Sequence, residues 1–153
     1  MFEFVDCGCG CKGAIAKKRF MISILSALVF FIVINKDTFK LTRSLLGSWI
    51  GSSEGCPSAA GFLLHSMVFG LVIFSLMFGS QEKALAIQEK MKVSLFSALL
   101  FYVIANPSLF KAMNKLLGGW VSDSQGCATI DGSILHMIVF LSISYVVMNG
   151  KRV

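Results

Sequence analysis

The sequence predicts an all-α integral membrane protein whose four transmembrane helices come from two parallel tandem repeats. Hydrophobic residues make up 56% of the chain and charged residues only 14%, and the apolar residues occur in long blocks, as in membrane proteins. Residues 39–69 recur without a gap at residues 110–140, and aligning 20–79 with 91–150 gives about 22 identities in about 60 positions. Each repeat is therefore predicted to contain a transmembrane helix, an interfacial amphipathic helix and a second transmembrane helix.

The repeats divide the chain into five segments. A chain of 153 residues has room for one compact bundle and for no separate catalytic domain. The predicted division is a cysteine-rich basic N-terminal tail (1–19), repeat 1 (20–79), a cytoplasmic linker (80–90), repeat 2 (91–150) and a basic C-terminal tail (151–153). A basic cluster precedes the first apolar run, as in a secretory signal, but no small-residue cleavage site follows it, so we expect a retained first span.

The N-terminal tail contains three closely spaced cysteines, Cys7, Cys9 and Cys11, which alternate with glycines. Cysteines beside a basic cluster and an apolar span are typical of reversible palmitoylation. As thiolates, the same three residues could instead bind a soft metal ion. A flexible tail with reduced cysteines is the third interpretation, because short cysteine patterns carry little information.

The four apolar runs differ in length. Residues 20–34 and 91–105 offer about 15 mostly apolar residues each, where about 20 are needed to cross a bilayer. We expect the flanking basic side chains to extend these two spans by reaching toward the headgroups. Residues 59–79 and 132–149 have full length. Small residues spaced four apart favour close helix packing over a wide pore: Ser23 and Ala27, then Ser94 and Ala98.

The distribution of basic residues predicts the orientation, since cytoplasmic loops carry an excess of lysine and arginine. With four spans, both termini and the linker share one side of the membrane, and the two Trp-containing loops share the other. The side of the termini and linker carries the larger set, Lys12, Lys17, Lys18, Arg19, Lys83, Lys90, Lys92, Lys151 and Arg152. The side of the Trp loops carries Lys36, Lys40, Arg43, Lys111 and Lys115. We therefore expect cytoplasmic termini and a pseudo-twofold axis along the membrane normal.

Each Trp loop has the periodicity of a short amphipathic helix. In the second loop Phe110, Met113, Leu117, Trp120 and Val121 fall on one helical face, and the first loop follows the same pattern. Such helices lie in the membrane interface with tryptophan at headgroup depth. The sequence thus predicts interfacial helices that carry Trp49 and Trp120.

Cys56 and Cys127 occupy equivalent positions in the two loops. In an oxidising lumen they could form a disulfide, or each could be a small buried residue near the axis. The sequence leaves both alternatives open, because it does not supply the Cα separation. Gly55 and Gly126 precede them and are typical of tight turns.

His65 and His136 are the main chemical candidates, because an ionisable group within a membrane span is costly and often functional. On symmetry-related helices they could ligate one metal ion or hold a haem from opposite sides. Alternatively, each neutral histidine hydrogen-bonds a neighbouring helix, with Gly61 and Gly132 opening room for close packing on the same face. We expect this packing role, and no cofactor.

A zinc site formed by Cys56, Cys127 and the two histidines is disfavoured. Nine residues along an entering helix separate the cysteine and histidine of each repeat by more than one site usually spans.

Several classes of activity lack their usual residues. Apart from Lys92 at the mouth of the third span, no charged residue lies within a span, so a proton relay or an ion-coordinating carboxylate is not expected. The sequence contains no nucleophile elbow, phosphate loop or H-E-x-x-H motif. The net charge of +6 lies mostly beside the apolar blocks, which favours lipid headgroups over nucleic acid as its partner. We predict a protein that is not an enzyme.

The segments N-x-x-x-F-K, L-L-G-x-W, S-x-G-C and L-H-x-x-V-F occur once in each repeat. In these segments, over about residues 20–150, the chain resembles small multi-span membrane proteins of nucleocytoplasmic large DNA viruses that infect algae and protists. The resemblance implies a minor structural component of the internal virion membrane that contacts the icosahedral capsid. It implies no catalytic residues. Glu54 and Pro57 of the first repeat are replaced by Gln125 and Ala128 in the second. A role that depends on Glu54 or Pro57 therefore cannot be common to both repeats.

The sequence thus predicts a non-enzymatic structural membrane protein, whose partners are the lipid bilayer and other virion or capsid proteins. A homo-oligomer is also possible from the sequence, since the helix pairs of one chain could pack on those of another. The alternative function is a small membrane redox or metal- or haem-binding protein that uses His65 and His136. A third interpretation, a small channel, conflicts with spans suited to close packing.

Overall fold

A computed structural model describes residues 11–79 and 87–150 of the chain. Within these residues the regular structure is helical, as predicted. The helices are α1 (Cys11–Ile34), α2 (Lys36–Leu46), a short 3₁₀ turn (Ser48–Ile50), α3 (Ala59–Gly79), α4 (Ile87–Ile104), α5 (Pro107–Leu117) and α6 (Ile130–Gly150).

The helices provide two to four candidate membrane spans. Both α3 and α6 are long and apolar enough to cross a bilayer. The apolar parts of α1 and α4, Phe20–Ile34 and Lys90–Ile104, qualify only together with α2 and α5, and each pair is bent at a short break, by 60° and 50°. Large apolar side chains such as Leu25, Ile32, Leu95 and Leu99 are exposed on the outside of the bundle, as expected for a surface in contact with lipid.

Two helices begin earlier than the apolar pattern predicts. Helix α1 begins at Cys11, inside the predicted N-terminal tail, and α4 begins at Ile87, inside the predicted linker. The polar residues at the start of α4, including glutamine, glutamate and lysine, are good helix formers, so the backbone stays helical where the apolar run stops. Helix α3 has the predicted limits, and α6 exceeds its predicted range by two residues at the start and one at the end.

The predicted interfacial helices are shorter than expected, and neither tryptophan lies in them. Helices α2 and α5 end at Leu46 and Leu117, because Gly47 and Gly118 follow with positive φ angles of 104° and 89°. Trp49 therefore lies in the 3₁₀ turn, and Trp120 lies in the loop after α5.

The two halves of the chain are interlocked. The main neighbour of α1 is α6, and the main neighbour of α3 is α4, so each long helix packs chiefly on a helix from the other half. At the α3–α4 contact, Ser94 Oγ donates to the backbone oxygen of Gly70 at 2.6 Å, and a Cβ on Gly70 would lie 2.9 Å from Ala98 Cβ. This contact confirms the predicted small-residue face of α4.

A cluster of four phenylalanines fills the centre of the bundle. Phe30, Phe69, Phe101 and Phe140 come from α1, α3, α4 and α6, and all four are fully buried. Phe30 stacks on Phe140 with ring centroids 4.7 Å apart, and Phe69 stacks on Phe101 at 4.8 Å. Aromatic pairs of this kind add about 0.5–1.5 kcal/mol each beyond their buried area. The cluster occupies the place where a central pore would run.

Lys90 departs from the prediction that basic residues at the span ends reach outward. Its side chain is buried, and its ammonium group lies 4.4 Å from the centroid of the Phe78 ring. A cation over an aromatic face is stabilised by the ring quadrupole. Lys90 thus connects the start of α4 to the end of α3 rather than facing the solvent.

Candidate functional site at the paired helix breaks

Each half of the chain contains a helix break next to a histidine. The breaks lie at Asn35 and Asn106, which are the N-caps of α2 and α5. Asn35 Oδ1 accepts the backbone N–H of Asp37 at 3.0 Å, and Asn106 Oδ1 accepts that of Ser108 at 2.8 Å. In an unbroken helix these N–H groups would bond to the carbonyls of residues 33 and 104, so the breaks leave two carbonyls in need of donors.

The two histidines supply these donors. His65 Nδ1 lies 3.3 Å from the backbone oxygen of Val33, and His136 Nδ1 lies 2.7 Å from that of Ile104. A carbonyl oxygen can only accept, so Nδ1 carries the hydrogen in both rings. Val33 and Ile104 are buried, and a buried carbonyl without a donor is costly, so these two bonds stabilise the broken helices.

Aromatic stacking fixes both imidazole rings. Phe39 of α2 stacks on His65 with centroids 3.9 Å apart and an interplanar angle of 14°. Phe110 of α5 stacks on His136 at 3.7 Å and 10°. Both phenylalanines are buried, so the apolar faces of α2 and α5 are turned toward the histidines.

The remaining ring nitrogens have different surroundings in the two halves. His65 Nε2 lies 3.0 Å from Thr42 Oγ1, whose one hydrogen can be donated either to this nitrogen or to the Thr38 backbone oxygen 2.9 Å away. The equivalent residue in the second half is Met113, which has no such donor. Within the described part of the chain, His136 Nε2 has no hydrogen-bond partner, although His136 is only 2% exposed.

Gly61 and Gly132 hold the Trp loops against the helices that follow them. A Cβ on Gly61 would collide with the carbonyl oxygen of Ile50, and one on Gly132 with that of Val121. Glycine is thus needed for close backbone approach, on the same helices as the histidines.

Ser58 and Thr129, which sequence reasoning missed, complete this contact. Each hydroxyl accepts the backbone N–H of the glycine three residues later, Gly61 or Gly132, at 3.0 Å. Each also lies within hydrogen-bond distance of the loop carbonyl that this glycine contacts, that of Ile50 or Val121. A serine or threonine directly before an apolar helical run is a recognisable N-cap signal in the sequence.

A disulfide joins the tips of the two Trp loops. Cys56 and Cys127 are bonded with a Cα–Cα distance of 5.3 Å, within the usual range. Gly55 and Gly126, with φ angles of +88° and +87°, form the turns before them. Of the two alternatives that the sequence leaves open, the structure has the disulfide.

Asp123 is a further residue that sequence reasoning missed. Its Oδ1 accepts the backbone N–H of Cys127 at 2.8 Å and that of Gln125 at 3.0 Å, and its Oδ2 lies 3.4 Å from Lys36 Nζ in the other half. Partial burial alone would raise the pKa of this carboxyl. The two N–H bonds and the Lys36 charge outweigh burial and hold its pKa below the usual value.

The structure groups Cys56 and Cys127 with Asp123 rather than with the histidines. Their potential ligand atoms lie within 4.8 Å of one another. Both sulfurs belong to the disulfide, however, and a metal ion binds the thiolate form. The arrangement therefore does not form the zinc set that the sequence disfavours.

A small cavity lies between the two halves near the disulfide. Its volume is about 20 Å³, which leaves room for about one water molecule and is far too small for a haem. Both Phe39 and Phe110 line it, but the two histidines do not. The histidines thus do not face each other across a cofactor-sized space here.

The other predicted site residues lie apart from the histidines. Trp49 is 52% exposed and Trp120 is 45% exposed, and the Trp49 indole donates to the Leu46 oxygen at 2.7 Å. Cys7 and Cys9 lie outside the described residues. Cys11 begins α1, but its side chain is also outside them.

Comparison of the chain with known protein families, curated proteins and solved structures finds no match.

Proposed function

We propose that this chain is a non-enzymatic structural membrane protein of a large DNA virus, located in the internal membrane of the virion and in contact with the capsid as a minor component. The viral assignment is drawn from the sequence resemblance. The way in which the two halves of the chain are joined supports the structural role.

In this proposal the four spans are α1, α3, α4 and α6, and they form two parallel repeats. Three features recur 71 residues apart and support the repeats: the histidine-to-carbonyl bonds, the histidine–phenylalanine stacks and the glycine-to-loop contacts. Helices α2 and α5 lie in the interface, with the exposed tryptophans at headgroup depth. The excess of basic residues on their side supports cytoplasmic termini, with the Trp loops on the opposite side.

The observation that carries the structural role is the interlocking of the two halves. Each long helix packs on a helix of the other half, the phenylalanine cluster fills the centre, and the disulfide joins the loops. A conducting channel needs a polar or wettable path, and an enzyme needs a pocket of substrate size. A filled and cross-linked body suits a rigid scaffold better than either.

The tips of the two Trp loops form the surface that we expect to bind other virion proteins. Ser53, Glu54, Ser124 and Gln125 are exposed there, and the disulfide lies directly behind them. A surface held in place before binding loses little conformational freedom when a partner docks. The loop tips are therefore the best candidate for a docking platform.

Photo-crosslinking from the loop tips tests the proposal. A photoreactive amino acid replaces Glu54 in one variant, Gln125 in a second and Leu95 in a control, and each full-length chain is produced during infection. Leu95 is exposed on the lipid-facing side of α4. We expect discrete adducts with virion or capsid proteins from positions 54 and 125, and lipid adducts from position 95.

The proposal fails if positions 54 and 125 give only lipid adducts while the Cys56–Cys127 disulfide is intact on a non-reducing gel. Ion conductance of the purified protein in planar bilayers would instead support the channel interpretation.

A further inference from the structure

The second half of the chain holds a ring nitrogen that the structure does not otherwise use, His136 Nε2. It is buried and has no hydrogen-bond partner among residues 11–79 and 87–150. Leaving a buried polar atom unpaired costs about 1–3 kcal/mol. Since Nδ1 donates its hydrogen to the Ile104 oxygen, the neutral ring presents a lone pair at Nε2.

This is the geometry of a histidine prepared to bind a metal ion. Histidine ligands usually donate the other ring N–H to a backbone carbonyl or a carboxylate, which fixes the tautomer and the ring orientation. The Ile104 carbonyl does this for His136, and the stack on Phe110 holds the ring in its plane. His65 is held in the same way, but its Nε2 bonds to Thr42.

Met113 holds the position in α5 that Thr42 holds in α2. It comes three residues after Phe110 in α5, as Thr42 comes three residues after Phe39 in α2. Thr42 Oγ1 lies 3.0 Å from His65 Nε2, and Phe110 stacks on His136 as Phe39 stacks on His65, so from the likeness of the two halves we infer that residue 113 is on the face of α5 turned to His136. Met113 is half-buried against the core, and its thioether sulfur is a soft metal ligand.

We propose that His136 Nε2 and Met113 Sδ together bind a soft monovalent metal ion, for which copper(I) is the biological candidate. Imidazole and thioether are both neutral, so they suit a monovalent ion better than a divalent ion that needs anionic ligands. Among the described residues, one group of three histidine, cysteine or acidic side chains is close enough to share a metal ion: Cys56, Asp123 and Cys127. His136 is not in this group, so the proposed site is a separate one. Because Met113 is only half-buried, the ion can enter from the surface of α5.

The two halves of the chain supply matched variants for the test. Met113→Thr gives His136 the surroundings of His65 and should remove the site. Thr42→Met gives His65 the surroundings of His136 and should create a second site. Both variants keep the two histidines and their bonds to the helix breaks, so neither removes the contacts that stabilise the fold.

Silver(I) is the probe, because it is soft and monovalent and keeps its oxidation state during a titration. Purified full-length protein carries serine at positions 7, 9 and 11, since thiolates there would also bind silver. Calorimetric titration should detect about one ion per chain in this background, about two with Thr42→Met, and binding weakened by about tenfold or more with Met113→Thr. In ¹⁵N NMR, silver should shift the Nε2 signal of His136 and leave that of His65 in place.

The proposal is wrong if silver does not bind the background protein while its thermal unfolding is normal. It is also wrong if Met113→Thr binds silver as tightly as the background does, or if the His65 signal shifts instead. In those cases an ordered water is the better partner for His136 Nε2.

Discussion

The roles of His65 and His136 follow from the carbonyls that they contact. Each helix break diverts a backbone N–H to an asparagine side chain and leaves the carbonyl of Val33 or Ile104 without its helical partner. A histidine from the next long helix donates to that carbonyl. A buried histidine on a candidate span thus serves the backbone here, because a buried carbonyl left without a donor is itself costly.

The two histidines should differ in their contribution to stability. His65→Phe keeps the stack on Phe39 but leaves the Val33 oxygen unpaired and removes the bond to Thr42, so we expect a loss of about 1–3 kcal/mol. His136→Phe also leaves a carbonyl unpaired, but it removes the unpaired Nε2, so its loss should be smaller. Unfolding in mixed detergent micelles measures both, and an equal loss in the two variants would contradict this account.

Asp123 should make stability depend on pH in the acid range. Its pKa in the folded protein lies below the ordinary value of 3.8, so its contribution is present above that value and is lost as the pH falls through the folded pKa. Asp123→Asn keeps an acceptor for Cys127 and loses the Lys36 pair. Since both side chains of the pair are more than one-third exposed, we expect a difference below about 1 kcal/mol near pH 6 that shrinks near pH 3.

Thermal unfolding of Asp123→Asn and wild type at the two pH values measures this difference. Asp37→Asn is the matched control, because its pair with Lys40 lies within α2. A difference that grows toward pH 3 would contradict the expected sign.

At the scale of the elements, the loops and the long helices are held together by backbone contacts. The first turn of α3 lies against the Ile50 carbonyl and that of α6 against the Val121 carbonyl, and the hydroxyls of Ser58 and Thr129 bond to both partners. This contact fixes the direction in which each Trp loop enters the helix that follows it, α3 or α6. The position of the disulfide depends on it.

Gly61→Ala and Gly132→Ala should therefore each destabilise the protein by about 1–3 kcal/mol, because the added Cβ meets a backbone oxygen that has little room to move. Ala60→Leu, which adds volume to the exposed side of the same turn, should change stability by less than about 0.5 kcal/mol. Thermal melting in detergent checks all three. If Gly132→Ala melts like the Ala60 control, the close approach is not important.

At the scale of the whole molecule, the chain behaves as two halves that complete each other. Helix α1 has α6 as its main neighbour and α3 has α4, so neither half can bury its helix faces alone. The disulfide adds a covalent link between positions 71 residues apart. A disulfide that closes a loop of this size typically adds about 2–4 kcal/mol.

A protease site inserted between α3 and α4 tests this organisation in the intact chain. After cleavage, the halves should run as one band on a denaturing gel without reductant and as two bands with it. In mild detergent they should stay together even after reduction, because the cross-half helix pairs persist. Separation under those conditions would show that the disulfide, rather than packing, holds the halves together.

Much of the architecture could be predicted from local patterns. Apolar blocks predict the long helices, and α3 has the predicted limits. The spacing of small residues predicts the α4 face that meets Gly70. The ends of α2 and α5 were predicted wrongly, because the apolar periodicity continues through Gly47 and Gly118 while the backbone turns there.

The sequence by itself determined the membrane class, the recurrence of the histidines and the helix-forming segments, because these depend on composition and on short-range spacing. Only the tertiary structure decided that Cys56 and Cys127 are bonded, that the halves interlock and that His65 and His136 have different partners. These features depend on distances between residues far apart in the chain. Periodicity fixes which face of a helix is apolar, but packing decides which neighbour covers it.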